Sequence, residues 1–276
     1  MPYVTVGQEN SGAIRIYYED HGQGAPVVLV HGFLLNGRSW EKQEAALLAA
    51  GYRVVTYDRR GFGGSSRPSV GYDYDTLAAD LGVLMDRLDL RGAVLAGFCA
   101  GTGEVLRYTG VPGRDRVRAA ALIAPLAPGV PWAGDDQGRG VLAEFIGQLS
   151  ADRPAAIKTF LDRSYNIDLL GGTRVSDQAW QNSFHVAIGA SAAAVRGCAA
   201  AWLEDFRADL ARITVPVLVV QGGQDRIAPP RATGNPLPGL PVSPRHMVVP
   251  DGPHAIIWTH ADEVNQALLD FIRGPG

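Results

Sequence analysis

Residues 92–108 read GAVLAGFCAGTGEVLRY. The run Gly92–Phe98 predicts a strand, and the stretch from Gly101 to Gly110 predicts a short helix. Between them the frame G-x-C-x-G spans Gly97 to Gly101. A strand that runs straight into a glycine-flanked residue and then a helix is a sharp turn that exposes one side chain, here Cys99 in the place where serine is usual. Glycine is needed on both sides because the strand and helix backbones approach closely there. A helix N-terminus favours a thiolate. A lone mid-chain cysteine is commonly a small buried hydrophobe, but a cysteine that only filled core would have no need of this frame.

Outward from this turn the chain alternates. Strands are predicted at 13–20 (AIRIYYED), 25–32 (APVVLVHG) and 52–61 (YRVVTYDRRG), the last two as continuous apolar runs of the kind covered on both faces. NGRSWEKQEAALLAAG reads as a helix closed by Gly51. YDYDTLAADLGVLMDRLDL places Leu77, Leu81, Leu84, Met85 and Leu88 on one helical face, with Asp75 as its expected N-cap. VRAAALIAP is a further strand. From about Leu126 to Ile213 the patterns are helical, and strand signals return in VPVLVVQGGQD (215–225) and RHMVVPDGPH (245–254) before a last amphipathic helix. The fold expected is α/β, a mostly parallel sheet with crossover helices. Residues 1–125 and 214–276 form its core and 126–213 a helical cap inserted over one edge of the sheet.

A chain of 276 residues with 46% hydrophobic and 19% charged residues is ordinary for a soluble globular protein. A net charge of −3 without a basic block argues against nucleic acid or an anionic membrane as partner. MPYVTVGQEN has no basic region followed by an apolar core, so no signal peptide is expected, and no apolar stretch reaches membrane-spanning length. The two cysteines, Cys99 and Cys198, give neither a disulfide framework nor a metal-ligand spacing. A reduced, cytoplasmic setting is expected.

A nucleophile at such a turn needs a base and a group that orients it, in the chain order nucleophile, acid, histidine. Asp225 follows the strand VPVLVVQG, and His254 lies just past the last strand. Both therefore fall at carboxyl ends of parallel strands, where open α/β sheets place their sites. Asp251 is the rival acid, although it lies only three residues before His254. His21, His185, His246 and His260 lack the combination of loop position and order. HGF at 31–33 also follows a strand. The N–H of Phe33, with that of Ala100, is expected to form an oxyanion hole, with His31 supporting the turn. Leu34, Trp40, Phe98 and Trp132 are expected to line an apolar substrate pocket, with Phe184 the other cap candidate.

HGFLLNGRSWEKQEAALLAAGYRVVTYDRRGFGGSS, GYDYDTLAADL, DLRGAVLAGFCAGTGEVLRY, WLEDFRADLARITVPVLVVQGGQDR and GPHAIIWTHADEVNQALLDFI together resemble the cofactor-free bacterial haloperoxidase, aryl esterase and perhydrolase branch of the α/β-hydrolase superfamily. The resemblance covers nearly the whole chain. It implies an eight-stranded sheet with a helical cap, no metal or haem, and an acyl-enzyme intermediate. It also implies the triad acid at Asp225, the base at His254, and an oxyanion hole at Phe33 and Ala100. Its members often assemble into trimers or hexamers, so a homo-oligomer is what it implies for this chain. Three positions depart from it. Cys99 replaces serine, Ala100 stands where methionine is usual, and Leu34 stands where haloperoxidase-like members carry proline, which argues against peroxide chemistry.

A thiol ionises far more readily than a hydroxyl, near pH 8.5. A cysteine beside a histidine therefore forms an ion pair before substrate arrives, and its acyl intermediate is a thioester. Thioesters pass their acyl group readily to amines and thiols, and a dry apolar pocket favours transfer over hydrolysis. The expectation is an enzyme that takes an acyl group from a small-molecule ester or thioester, carrier-bound acyl groups included, and transfers it to a non-water acceptor or cyclises it. Cysteine at this turn has precedent in dienelactone hydrolases and polyhydroxyalkanoate synthases. Three alternatives stand beside it. One is hydrolysis of an ester, lactone or thioester. Another is a Ser-to-Cys change introduced into a serine esterase, against which the altered neighbour Ala100 argues. The third is a non-catalytic ligand binder, for which a retained Asp225 and His254 would have no use.

Overall fold

The computed structural model describes residues 2–111, 115–126, 136–230 and 240–274. Eight strands form a single sheet: β1 (Tyr3–Glu9), β2 (Gly12–His21), β3 (Pro26–Val30), β4 (Arg53–Tyr57), β5 (Ala93–Phe98), β6 (Val117–Ile123), β7 (Val217–Gly222) and β8 (Arg245–Val249). Their order is β1-β2-β4-β3-β5-β6-β7-β8. The pairs β1–β2 and β2–β4 are antiparallel, and every later pair is parallel. The α/β expectation thus holds, with β1 as an element the sequence reading did not assign. The polar side chains of YVTVGQE explain why: only Val4 of this edge strand is buried.

The central strands are fully enclosed. Val27–Val30 and Ala93–Ala96 have no exposed surface, as continuous apolar runs under helices on both faces require. Each such Val or Leu contributes roughly 1.5–3 kcal/mol by leaving water. The crossover helices are α1 (Glu41–Ala49), α2 (Tyr74–Arg87) and α3 (Gly101–Gly110). Gly51, at φ +85°, ends the first of them in the left-handed conformation that glycine tolerates. The N-cap of α2 is Asp73, not Asp75: the Asp73 carboxylate accepts from the Thr76 N–H. Asp75 sits one position inside the helix and meets Arg107 instead, because only the residue flanking the first turn can reach its free N–H groups.

Between β6 and β7 every described element is helical apart from an isolated bridge, Gly171–Val175. The longer helices there are α4 (Asp136–Ala151), α5 (Arg153–Tyr165), α6 (Asp177–Ile188) and α7 (Ala192–Ala200). The final helix α8 (Ala261–Arg273) buries Val264, Ala267, Leu268, Phe271 and Ile272 on one face and packs against α1. Among the described residues no single helix is long and apolar enough to cross a membrane.

Candidate active site

The chain crosses from β4 on one side of β3 to β5 on the other, so the carboxyl ends of β3 and β5 open a crevice at the point where strand order reverses. Cys99 stands at the end of β5. Its φ is +53°, a left-handed conformation that costs a non-glycine residue of order 1–3 kcal/mol and persists only where surroundings impose it. Those surroundings are visible. The Cys99 N–H donates to the Ile123 carbonyl (3.0 Å), and its carbonyl accepts from the Thr102 N–H (3.1 Å) and hydroxyl (2.6 Å). A Cβ on Gly97 would lie 2.7 Å from the Gly101 carbonyl oxygen, and one on Gly101 would lie 2.4 Å from that of Val30. No side chain fits at either position, which is the steric reason for the two glycines.

Asp225 and His254, the expected acid and base, follow β7 and β8. His254 Nδ1 lies 2.7 Å from Asp225 Oδ2, and both residues are buried. Asp225 is itself held from every side. Oδ1 accepts the N–H groups of Ile227 (2.8 Å) and Ala228 (2.7 Å), and Oδ2 also accepts from Gln221 Nε2 (3.1 Å). Burial disfavours charge on His254, but Asp225, joined by Cys99, outweighs it and pushes the imidazole up to about 10. Cys99 acts on the ring by charge and as a side-chain partner, although among the described residues no hydrogen bond of regular geometry reaches the buried Nε2. With Nδ1 committed to Asp225, Nε2 is the atom left for chemistry.

Helix α5 ties the two loops together at its C-terminus. The Ser164 carbonyl accepts the Ala255 N–H (2.9 Å), and Asn166 Nδ2 donates to the Gln224 carbonyl (2.9 Å). The rival acid Asp251 is exposed and lies 3.4 Å from His260, away from His254. His21 is exposed near Glu19 and Glu44.

The HGF turn has a defined shape. The Leu35 N–H donates to the Gly32 carbonyl (3.4 Å), and Leu34 has φ +68° while Phe33 stays outside the positive-φ region. These are the marks of a type II turn with Leu34 at its third position. Proline fixes φ near −65°, so a proline-bearing loop would turn differently here. Neither the Phe33 nor the Ala100 N–H has an acceptor among the described residues, and both residues are buried.

The expected pocket residues divide. Phe98 tilts over His254 with ring centres 5.4 Å apart and lines a cavity of about 310 Å³ with Leu35, Tyr165, Ser183 and Trp258. Leu34 and Trp40 are wholly buried, and Trp40 packs edge-on under Phe98. Trp132 lies outside the described residues. Phe184 stacks on Trp180. A second, apolar cavity of about 150 Å³ is walled by Phe145, Phe160, Trp202 and Ile227. The first three of these rings pack edge-on against Phe33. Sequence reasoning missed this aromatic set, whose members are scattered over α4, α5 and the turn after α7. It also missed Arg59 and Glu104. Arg59 lies within the charged trio Asp58–Arg59–Arg60 and Glu104 within GTGEVLR, so neither carried a local mark that set it apart.

Comparison with known proteins agrees with this architecture. The family profile for the alpha/beta hydrolase fold matches residues 25–261. A candidate non-heme chloroperoxidase of Synechocystis sp. is 54% identical, over 99% of this chain and 100% of its own. A bifunctional esterase/perhydrolase of Acinetobacter calcoaceticus is 31% identical, over 99% and 100%. The crystal structure of a bromoperoxidase from Bacillus anthracis superposes with a TM-score of 0.88 at 36% identity, covering 99% of each chain.

Proposed function

Because this chain belongs to the α/β-hydrolase superfamily, in its non-heme haloperoxidase and esterase branch, we propose that its enzymatic chemistry is acyl transfer through a thioester on Cys99. The observation that carries the reading is the coincidence of a cysteine forced to φ +53° at the strand-to-helix turn with a buried His254–Asp225 pair at 2.7 Å. A cysteine serving only as core would need neither the strain nor the pair.

In this mechanism the Cys99 thiolate attacks the acyl carbonyl. The carbonyl oxygen becomes an oxyanion against the N–H groups of Phe33 and Ala100. The bond to the leaving group breaks as the His254 imidazolium gives it the Nε2 proton. Neutral His254 then takes a proton from the incoming acceptor, whose attack releases the thiolate. Asp225 keeps Nδ1 protonated and the ring in place. The acyl group proposed is apolar: the rings of Phe145, Phe160 and Trp202, packed edge-on against Phe33, also wall the second cavity, which opens to solvent past Arg163 and Arg226. We assign residues 126–213 as the cap that supplies those walls, since Phe145, Phe160 and Trp202 all lie within it.

Hydrolysis is the second reading, supported by the esterase named among the relatives. Intact-protein mass after brief exposure to short acyl thioesters and aryl esters separates the two, with Cys99→Ala alongside. A single acyl-sized gain, absent in the variant and discharged by amines or alcohols faster than by water, is the expected result. A gain that water clears fastest establishes an esterase. No gain from any donor, with a thiol that still alkylates, overturns the nucleophile.

A further inference from the structure

Behind the HGF turn lies a buried charged cluster that the chemistry above does not use. Arg59 follows β4 and is 1% exposed; Glu104 on α3 has no exposed surface. Arg59 Nη2 donates to the Gly32 carbonyl (3.1 Å), and its Nε lies 3.9 Å from Glu104 Oε2. The Tyr57 hydroxyl donates to Glu104 Oε1. His31 closes the ring. Its Nε2 accepts the Arg59 N–H (3.0 Å), so Nδ1 carries the proton and donates to the same Gly32 carbonyl (2.8 Å). This requires a neutral imidazole, and burial followed by the Arg59 charge holds His31 well below its usual range.

The Gly32 carbonyl thus accepts from three donors, Leu35 N–H, His31 Nδ1–H and the Arg59 guanidinium. That carbonyl shares one planar trans peptide with the Phe33 N–H, and the two point in opposite directions. Whatever anchors the oxygen therefore aims the hydrogen. We infer that Arg59 is a positioning residue for the oxyanion hole. It clamps the Gly32–Phe33 peptide so that the Phe33 N–H faces the acyl oxygen, while Glu104 holds the guanidinium against the first turns of α3. The cluster bridges the two halves of the hole, since Glu104 lies on the helix that begins beside Ala100. Its other charged and titratable neighbours are Arg60, Asp80, Tyr74 and Cys198. This inference rests on Cys99 being the acyl-accepting nucleophile.

Two reactions of the same thiol test it. Iodoacetamide alkylates Cys99 by displacing iodide at a tetrahedral carbon and develops no oxyanion. A p-nitrophenyl ester acylates Cys99 through one. Both rates are measured at Cys99 by peptide mapping in wild type, in Arg59→Lys, and in Arg59→Met combined with Glu104→Gln, which leaves no buried charge uncompensated. Loss of a whole oxyanion donor lowers rate by about 10²–10³, so a mis-aimed donor predicts an acylation loss of roughly tenfold or more in the double variant, with alkylation within about twofold. Arg59→Lys keeps the charge but loses the planar fork; it is expected to fall between and decides the matter if the double variant does not fold. Equal losses in both reactions assign Arg59 a general structural role and overturn the inference, as does acylation unchanged in both variants. A wild type that alkylates but never acylates fails the nucleophile itself, a distinct outcome that removes the inference with it.

Discussion

Replacing Asp225 by Asn tests the site at its most tightly specified point. The Asn oxygen stays where Oδ1 now accepts from the Ile227 and Ala228 N–H groups at 2.8 and 2.7 Å. Its NH2 group therefore takes the place of Oδ2, facing His254 Nδ1 at 2.7 Å and Gln221 Nε2 at 3.1 Å. Two donors now oppose each other. His254 relieves the clash only by moving its proton to Nε2, the tautomer that cannot take a proton from an acceptor. The same exchange in a serine triad lowers turnover by about 10⁴. A loss of about 10³–10⁴, or about 4–5.5 kcal/mol of transition-state stabilisation, is expected here. The assay is release of p-nitrophenolate under single-turnover conditions across pH. In wild type the imidazolium is held up to about 10 with Asp225 as the main charge opposing burial, so the limb that reports its deprotonation lies near there. In Asp225→Asn that limb moves down. Stability follows the same linkage. A histidine raised above its unfolded value near 6.5 contributes fully below that pH, and the contribution is lost as pH rises through about 10. Wild-type melting temperature should therefore fall over that window more steeply than that of the variant. A loss under tenfold with an unmoved upper limb would refute the triad assignment.

Other expectations follow from single contacts. Glu104 is raised by burial to about 7, against the opposing Arg59 charge and Tyr57 hydrogen bond; its contribution to stability is present below about pH 4.5 and lost as pH rises through about 7. Glu104→Gln should remove that component from melts recorded between pH 4 and 8, and melts that keep the wild-type slope would contradict it. Gly101→Ala forces a Cβ to 2.4 Å from the Val30 carbonyl oxygen, a backbone clash that should cost at least about 3 kcal/mol by urea unfolding. Trp202→Ala empties part of the cavity wall over Phe33 and should cost about 3–5 kcal/mol while shifting preference towards bulkier acyl donors. An unchanged donor profile would separate that cavity from the acyl group.

Much of this protein was legible because local steric demands leave local marks. The glycines at 97 and 101 announce a close approach of backbones, and the gaps there leave no room for a Cβ. Continuous apolar runs marked the buried strands, and loops following them marked where Asp225 and His254 emerge. The polar edge strand β1 escaped for the converse reason, since a strand with little to bury has no apolar pattern to show. Among the expected pocket residues, Phe98 is seen lining a cavity beside His254, while Leu34 and Trp40 are wholly buried, as are Cys99 and His254 themselves, so burial alone does not sort core from crevice.

By itself, then, the sequence determined the strand-to-helix turn at Cys99, the chain order Cys99, Asp225, His254 at strand ends, and the parallel sheet beneath them. These depend on steric and hydrophobic constraints felt within a few residues. The tertiary structure alone decided that His254 takes Asp225 while Asp251 faces His260. It alone brought Phe145, Phe160 and Trp202 over Phe33, and set Arg59 against the carbonyl of Gly32, 27 residues before it. Hydrogen bonds and ion pairs act through space at a few ångströms, and partners so far apart in the chain carry no spacing rule from which they could be read.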